Sequence, residues 1–271
     1  MKDLIIFTDL DGSLLDEETY RASPADSLFE TLNTCEIPVV FNSSKTFLEV
    51  LKVKRSMGNY QPFVVENGSA VYVPPDHEIA GASGLEPVHG YLRYVLGVSH
   101  KRIKDFLSSV GAAYEYSVLT EMSEAECASV TGLKGSDVIL AQTREFTEPL
   151  LWRDSEESLK KLSIMASSEG LRLVMGGRFV HLMGKTDKKL AQRWLVNQMK
   201  LVHGRDYKVM ALGDSENDAQ MLADADYPVL IRSEKHDFPD VETESPIYRT
   251  KRSGPSGWYE AVRTIVLREL I

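Results

Sequence analysis

Apolar positions in the first 75 residues come as short runs separated by amphipathic stretches. Leu4–Thr8, Pro38–Phe41 and Pro62–Val65 are near-continuously apolar over four or five residues. Runs of that length predict strands buried on both faces, as in a parallel sheet. Between them a helix is expected to begin near Pro24 and run through Leu28, Phe29 and Leu32. A second is expected over Thr46–Met57, where Phe47, Val50, Leu51 and Met57 recur at helical spacing. After Pro74-Pro75-Asp76 the pattern loosens. Strands are expected at Tyr91–Leu96, Leu171–Met175 and Phe179–Met183, and helices at Lys101–Val110 and Glu156–Ser167, without strict alternation. The first pattern then returns: a helix from Asp187 to about Met199, the strand Val209–Leu212, the turn GDSEND, a helix over Asp218–Ala223 and the strand Pro228–Ile231. The polar stretch Ser233–Pro246 reads as a loop.

Alternating strands and helices interrupted by a mixed segment predict an α/β fold, a doubly wound parallel sheet with an inserted smaller α+β domain. The expected boundaries are residues 1–83 for the first part of the core, 84–184 for the insert and 185–271 for the second part of the core.

Two strand ends carry acids beside glycine. FTDLDGSLLD puts Asp9 and Asp11 two residues apart after the first strand, and GDSEND puts Asp214 and Asp218 after the strand Val209–Leu212. Taken alone, either stretch fits an ordinary turn or helix cap. Ligands of open parallel sheets, however, sit outside the carboxyl ends of the strands. If the two strands are neighbours, Asp9, Asp11 and Asp214 converge on one point, with Asp218 a further candidate. Several carboxylates in one crevice repel unless a cation compensates, and an all-oxygen donor set favours Mg²⁺.

Charge and composition narrow the partners. A formal net charge of −9 over 271 residues argues against a nucleic-acid or anionic-membrane partner. A phosphate site remains compatible, because a metal, a lysine and backbone N–H groups can bind an anion inside an acidic protein. Cys35 and Cys127 have no CxxC spacing and are expected to be reduced. The apolar run after Lys2 is too short for a signal-peptide core, and no run approaches the ~20 residues of a membrane-spanning helix. A soluble, cytoplasmic protein is expected, with its oligomeric state open.

With these motifs in order, the chain resembles the haloacid-dehalogenase (HAD) superfamily of phosphotransferases: DLDG at Asp9–Gly12, a hydroxyl residue after the second strand at Ser43, a lysine at Lys188 and GDSEND at Gly213–Asp218. Ser13 departs from the Thr or Val usual in the family. The resemblance implies that the insert is a C2-type cap. It implies Asp9 as nucleophile and Asp11 as the acid and base for the leaving alcohol and the attacking water. It implies metal ligation by the Asp9 side chain, the Asp11 carbonyl and Asp214, with Asp218 a further ligand or an orienting group. Ser43, at a helix N-terminus, and Lys188 would bind the phosphoryl oxygens. Lys188 is favoured over Lys185 in GKTDKKLA because it follows an Asp at a helix start.

SSKT at Ser43–Thr46, ENG at Glu66–Gly68, REFTEPLLW at Arg144–Trp152 and GGRFVHLMGKTDK at Gly176–Lys188 further resemble the mannosyl-3-phosphoglycerate phosphatase family. That family hydrolyses 2-O-(α-D-mannosyl)-3-phosphoglycerate, a small phosphorylated sugar acid. Arg144 and Arg178 are candidate partners for the carboxylate of such a substrate, and Lys45 is a further cation. Ser44 and Asn217 are further substrate-binding candidates, Glu148 would accept from sugar hydroxyls, and Asn67 either faces the substrate or shapes its turn. Solvated surface pairs are the competing explanation for the insert's Arg and Glu residues. His181, in an apolar strand, is expected to be structural. The alternatives are a glucosyl-3-phosphoglycerate, sucrose-phosphate or broad-range phosphatase of the same capped type, a phosphomannomutase-like enzyme, or a catalytically silent metabolite-binding domain.

Overall fold

The computed structural model describes residues 3–176 and 178–266. Its first strand, β1 (Leu4–Thr8), alternates its side chains between two cores: Leu4 and Ile6 join one, Ile5 and Phe7 the other. Burial on both faces explains why the run shows no polar alternation. Parallel partners flank it: β2 (Val39–Asn42) and β3 (Phe63–Val65) on one side, and on the other the strands numbered last in the chain.

After β3 the chain reverses into β4 (Ala70–Val73), β5 (Glu86–Val88) and β6 (Tyr91–Val95). β4 pairs antiparallel with both β3 and β6, and β5 closes the edge against β6. The Tyr91–Leu96 strand expected in the insert therefore belongs to the large sheet. The correction has a physical cause: β6 is only half-buried and its mixed pattern does not name a partner, whereas Ala70–Val73 offers a free strand edge beside it.

A second, antiparallel sheet is made by β7 (Tyr116–Val118), β8 (Thr147–Trp152), β9 (Leu171–Gly176) and β10 (Phe179–Gly184) in the order β7-β8-β10-β9. The chain then returns to the large sheet through β11 (Lys208–Gly213), β12 (Tyr227–Arg232) and β13 (Tyr248–Ser253). The order of the large sheet among the described residues is β13-β12-β11-β1-β2-β3-β4-β6-β5. β11 lies directly beside β1, with Leu212 opposite Thr8, so the two acid-bearing strand ends are neighbours.

Helices α1 (Phe29–Thr34) and α2 (Phe47–Ser56) follow β1 and β2. The small sheet is accompanied by α3 (His100–Val110), α4 (Glu124–Thr131), α5 (Ser136–Gln142) and α6 (Glu156–Ser168). α7 (Lys188–His203), α8 (Ala219–Ala223) and α9 (Gly254–Ile265) are the remaining α-helices among the described residues. The helix expected from Pro24 is split, a 3₁₀ turn at Ala25–Leu28 leading into α1. Ile103, Phe106, Leu150, Leu162 and Leu182 form the small sheet's own core, separate from those of the large sheet. No helix among the described residues is long and apolar enough to cross a membrane.

Candidate active site

The site opens where β1 and β11 end. The Asp9 N–H donates to Leu212 O at 2.9 Å, which ties the first acid to the neighbouring strand. From α9, the buried Trp258 donates its indole N–H to Thr8 Oγ1 at 3.0 Å, and Thr8 in turn donates to the Asp9 carbonyl at 2.7 Å. Gly12 turns the chain at φ +76°. A Cβ there would stand 2.7 Å from Asp214 Oδ2, so only glycine lets the two acidic loops meet.

Carboxylate oxygens of Asp9, Asp214 and Asp218 lie within 4.8 Å of one another, all three side chains being buried. Lys188, at the first turn of α7, donates to Asp9 Oδ1 and Asp218 Oδ1, both at 2.6 Å. Asp218 Oδ2 accepts the N–H groups of Asp214 and Ser215. Asp214 Oδ1 accepts from Ser13 Oγ at 3.0 Å, and its Oδ2 lies 3.4 Å from His236 Nε2. Burial drives the Asp9 carboxyl well above its usual pKa. Lys188 opposes the shift, and Asp218, Asp214 and Asp11 reinforce it. Asp214 is raised by the same desolvation, while its carboxylate holds the His236 imidazole up at about 9.

This donor set fits a hard divalent cation. It is all oxygen, and one lysine does not offset three buried carboxylates. In addition, Asp11 Oδ1 is buried with no hydrogen-bond partner among the described residues. Asp11 Oδ2 pairs with Lys45 Nζ at 2.9 Å, and that ammonium also faces Glu49 and lies 5.1 Å from the centre of the Tyr20 ring.

Other expected residues fall into distinct places. Ser43 is fully buried, and its hydroxyl accepts the Lys45 N–H. It does not stand at a helix N-terminus. Thr46 caps α2 instead, in a capping box with Glu49, because its extended backbone lets the hydroxyl reach the Glu49 N–H. Ser44, Lys45, Arg144, Arg178 and Asn217 line a cleft of about 790 Å³ that also includes Asp9, Asp11 and Asp214. Asn67 does not line it: it is buried and shapes its turn, accepting from Asn217 Nδ2 at 3.1 Å. Lys185 is exposed, and among the described residues Lys188 is the GKTDKKLA lysine that reaches the acids.

Glu148 is not in the cleft. Its side chain is fully buried in the insert, accepting from Thr120 N and Oγ1 and facing His100 Nε2 at 2.7 Å. Alternation along β8 turns it away from the cleft wall that its neighbour Pro149 helps form. His181 differs in the opposite sense, since it lines the cleft. Burial, with Arg144 and Lys188 nearby, pushes its pKa down to about 3, so the ring is neutral. Both His181 Nδ1 and Arg144 Nε are buried without a partner among the described residues. The loop 233–240, read from sequence only as a connection, covers one side of the cleft with Lys235, His236 and Phe238, and Lys235 pairs with Glu17 at 2.6 Å. Its composition carries no signal of this, because the placement depends on contacts with Glu17 and Asp214.

The arrangement of a parallel sheet and an antiparallel insert is shared with solved structures. A phosphatase of the haloalkanoate (HAD) superfamily from Bacteroides thetaiotaomicron superposes at a TM-score of 0.68 with 16% identity, covering 97% of this chain and 94% of that one. The chain has the HAD fold. A haloacid-dehalogenase-like hydrolase from B. subtilis matches at 0.65 and 18% identity over 100% of both chains. A HAD subclass IIB sugar phosphatase matches at 0.64 and 13% identity over 96% of this chain and 98% of its own. No family model matches the chain. In this HAD fold the β7-β8-β10-β9 sheet stands where the cap was expected.

Proposed function

We propose that this chain is a phosphoric monoester hydrolase of the HAD type, acting on 2-O-(α-D-mannosyl)-3-phosphoglycerate. The observation that carries the reading is the buried set Asp9, Asp214 and Asp218, in which Lys188 bridges Asp9 and Asp218 while Asp9 and Asp214 line the cleft. The structural neighbours named as phosphatases support the reaction class.

Asp9 acts as the nucleophile. A carboxylate oxygen bonds to phosphorus, the ester P–O bond breaks, and the leaving oxygen takes a proton from Asp11. Asp11 then accepts a proton from water as that water attacks the phosphorus of the aspartyl-phosphate, releasing inorganic phosphate and restoring Asp9. Lys188 holds the Asp9 carboxylate in place and, with Ser43, meets the phosphoryl oxygens. Asp9, the Asp11 carbonyl and Asp214 would hold Mg²⁺, with Asp218 supporting them. Bound there, the cation offsets the repulsion between carboxylate and phosphate.

For the substrate, support comes from the cationic groups of the cleft beyond the acid cluster. Arg144, Arg178 and Lys45 suit a second anionic group such as a glycerate carboxylate. Leu119, Leu133, Pro149 and Phe179 supply an apolar wall on which a pyranose ring can lie.

The test is phosphate release, with Mg²⁺, from mannosyl-3-phosphoglycerate, its glucosyl analogue and a panel of sugar phosphates. Asp9→Asn is expected to lower kcat on the order of 10³-fold or more, and chelation to abolish turnover. A flat profile across the panel would overturn the substrate and leave the reaction standing. No release from any ester would overturn both.

A further inference from the structure

The turn Glu66-Asn67-Gly68-Ser69, between β3 and β4, bonds to the GDSEND loop, to the segment just before α7, to the segment after β6 and to the start of β8. Glu66 (φ 48°) and Asn67 (φ 58°) both adopt left-handed backbone, a conformation that costs side-chain-bearing residues energy. Asn67 reaches the GDSEND loop through Asn217. Gly68 packs so close to the start of α7 that a Cβ would stand 2.0 Å from the Asp187 carbonyl oxygen, and its own carbonyl accepts from Thr186 Oγ1 at 3.0 Å. Ser69 O accepts the N–H groups of Leu96 and Gly97. Both segments that join the large sheet to the small one are thereby tied to this one turn.

Glu66 itself crosses to the small sheet. Its carboxylate is buried and accepts the N–H groups of Glu145 at 2.9 Å, Phe146 at 3.2 Å and Thr147 at 2.8 Å, together with Thr147 Oγ1 at 2.7 Å. Charge-assisted bonds of this kind are the strong ones, and four converge here on one side chain. Thr147 Oγ1 in turn accepts from Arg144 Nη1 at 2.7 Å, and the guanidinium lies 3.9 Å from Glu66 Oε2. The path Glu66–Thr147–Arg144 therefore runs from the core turn to a cation of the cleft whose Nε is buried without a partner among the described residues. Satisfying its own turn does not require Glu66 to reach this far, since Ser69 Oγ and Ser69 N already bond the Glu66 carbonyl.

We propose that Glu66 is a positioning residue that docks the β8 end of the inserted sheet onto the core and, through Thr147, aims Arg144 into the cleft. The docking stands on the geometry alone; only its kinetic consequence rests on the phosphatase reading above.

The full chain and its Glu66→Ala, Glu66→Gln, Thr147→Val and Thr147→Ser variants are compared by amide hydrogen exchange and by kinetics. In Glu66→Ala the amides of 145–147 are expected to exchange about tenfold faster or more, while those of β1 keep their protection. Glu66→Gln, which keeps the volume, carries the same expectation if the alanine variant does not fold. Both Glu66→Ala and Thr147→Val should raise KM for mannosyl-3-phosphoglycerate roughly tenfold, with kcat for p-nitrophenyl phosphate, which has no carboxylate, within about threefold of the parent. Thr147→Ser keeps the hydroxyl and should retain the parent KM. Unchanged protection of 145–147 in the Glu66 variants would overturn the docking role, and an unchanged KM in Thr147→Val would overturn the relay to Arg144. If the parent releases no phosphate from any ester, the hydrolase reading fails and the exchange data alone decide the role of Glu66.

Discussion

Lys188 and Lys54 are both buried lysines, and their surroundings shift their pKa values in opposite directions. For Lys188 burial works against the charge, but Asp218 and Asp9 overcome it and hold the ammonium above its ordinary value. Lys54 has the Asn59 Oδ1 and Gln61 carbonyl acceptors and the faces of Phe41 and Phe63, and burial pushes its pKa down to about 7. The sign follows from proton counting. Between that value and the ordinary 10.5 the unfolded chain binds more protons at Lys54 than the folded one, so stability rises with pH across this window and levels off at its lower value below about 7. A tenfold change in proton affinity corresponds to about 1.4 kcal/mol, which bounds the steepness of that rise per pH decade. Lys54→Met is expected to flatten it, read as the urea midpoint at several pH values. An equal slope in parent and variant would show that Lys54 does not titrate in this window. From sequence the two lysines look alike, and only their neighbours separate them.

At the level of elements, α2 begins where Thr46 and Glu49 cap it reciprocally, Thr46 N donating to Glu49 Oε2 at 2.9 Å and Glu49 N to Thr46 Oγ1 at 3.3 Å. The Thr46 hydroxyl also donates to the Leu140 carbonyl of α5, linking core to insert. Thr46→Ala is expected to cost about 1–2 kcal/mol in a denaturant titration, while Thr46→Ser should retain most of that stability. The expectation of a helix over 46–57 was legible because Phe47, Val50 and Leu51 repeat at helical spacing and all three are buried. The buried strands β1, β2, β3 and β11 were legible for the same kind of reason, each being an unbroken apolar run. β6 was legible as a strand and assigned to the wrong sheet. Tyr91, Leu92, Arg93 and Tyr94 are half-exposed, and such a pattern says nothing about which edge a strand joins.

Across the whole molecule, the chain carries nine more acidic than basic charges, and part of that excess is concentrated in the buried group around Asp9. Binding of a divalent cation to the folded state alone should therefore stabilise it by mass action, by about 2.7 kcal/mol at a hundred times the dissociation constant. Thermal unfolding with Mg²⁺, with chelator and in Asp214→Asn is the measurement. The expected rise in Tm with Mg²⁺ should vanish in the variant. A rise of equal size in Asp214→Asn would place the cation elsewhere.

The order of the acid motifs along the chain, together with the alternation of apolar runs and amphipathic stretches, was enough to set the parallel core and to bring Asp9, Asp11 and Asp214 under suspicion. Those features are local: a buried strand must be apolar, and a strand end rich in acids beside glycine is visible over ten residues. The neighbours of Glu148, His181 and Glu66 are not local. Glu148 turns into the insert because β8 pairs with β10, His181 faces the cleft because its strand does, and Glu66 reaches Thr147 across 81 positions of sequence. Which polar side chain meets a partner and which is left facing the cleft depends on strand register and on how the insert sits on the core. Both are settled by long-range packing, which only the folded chain decides.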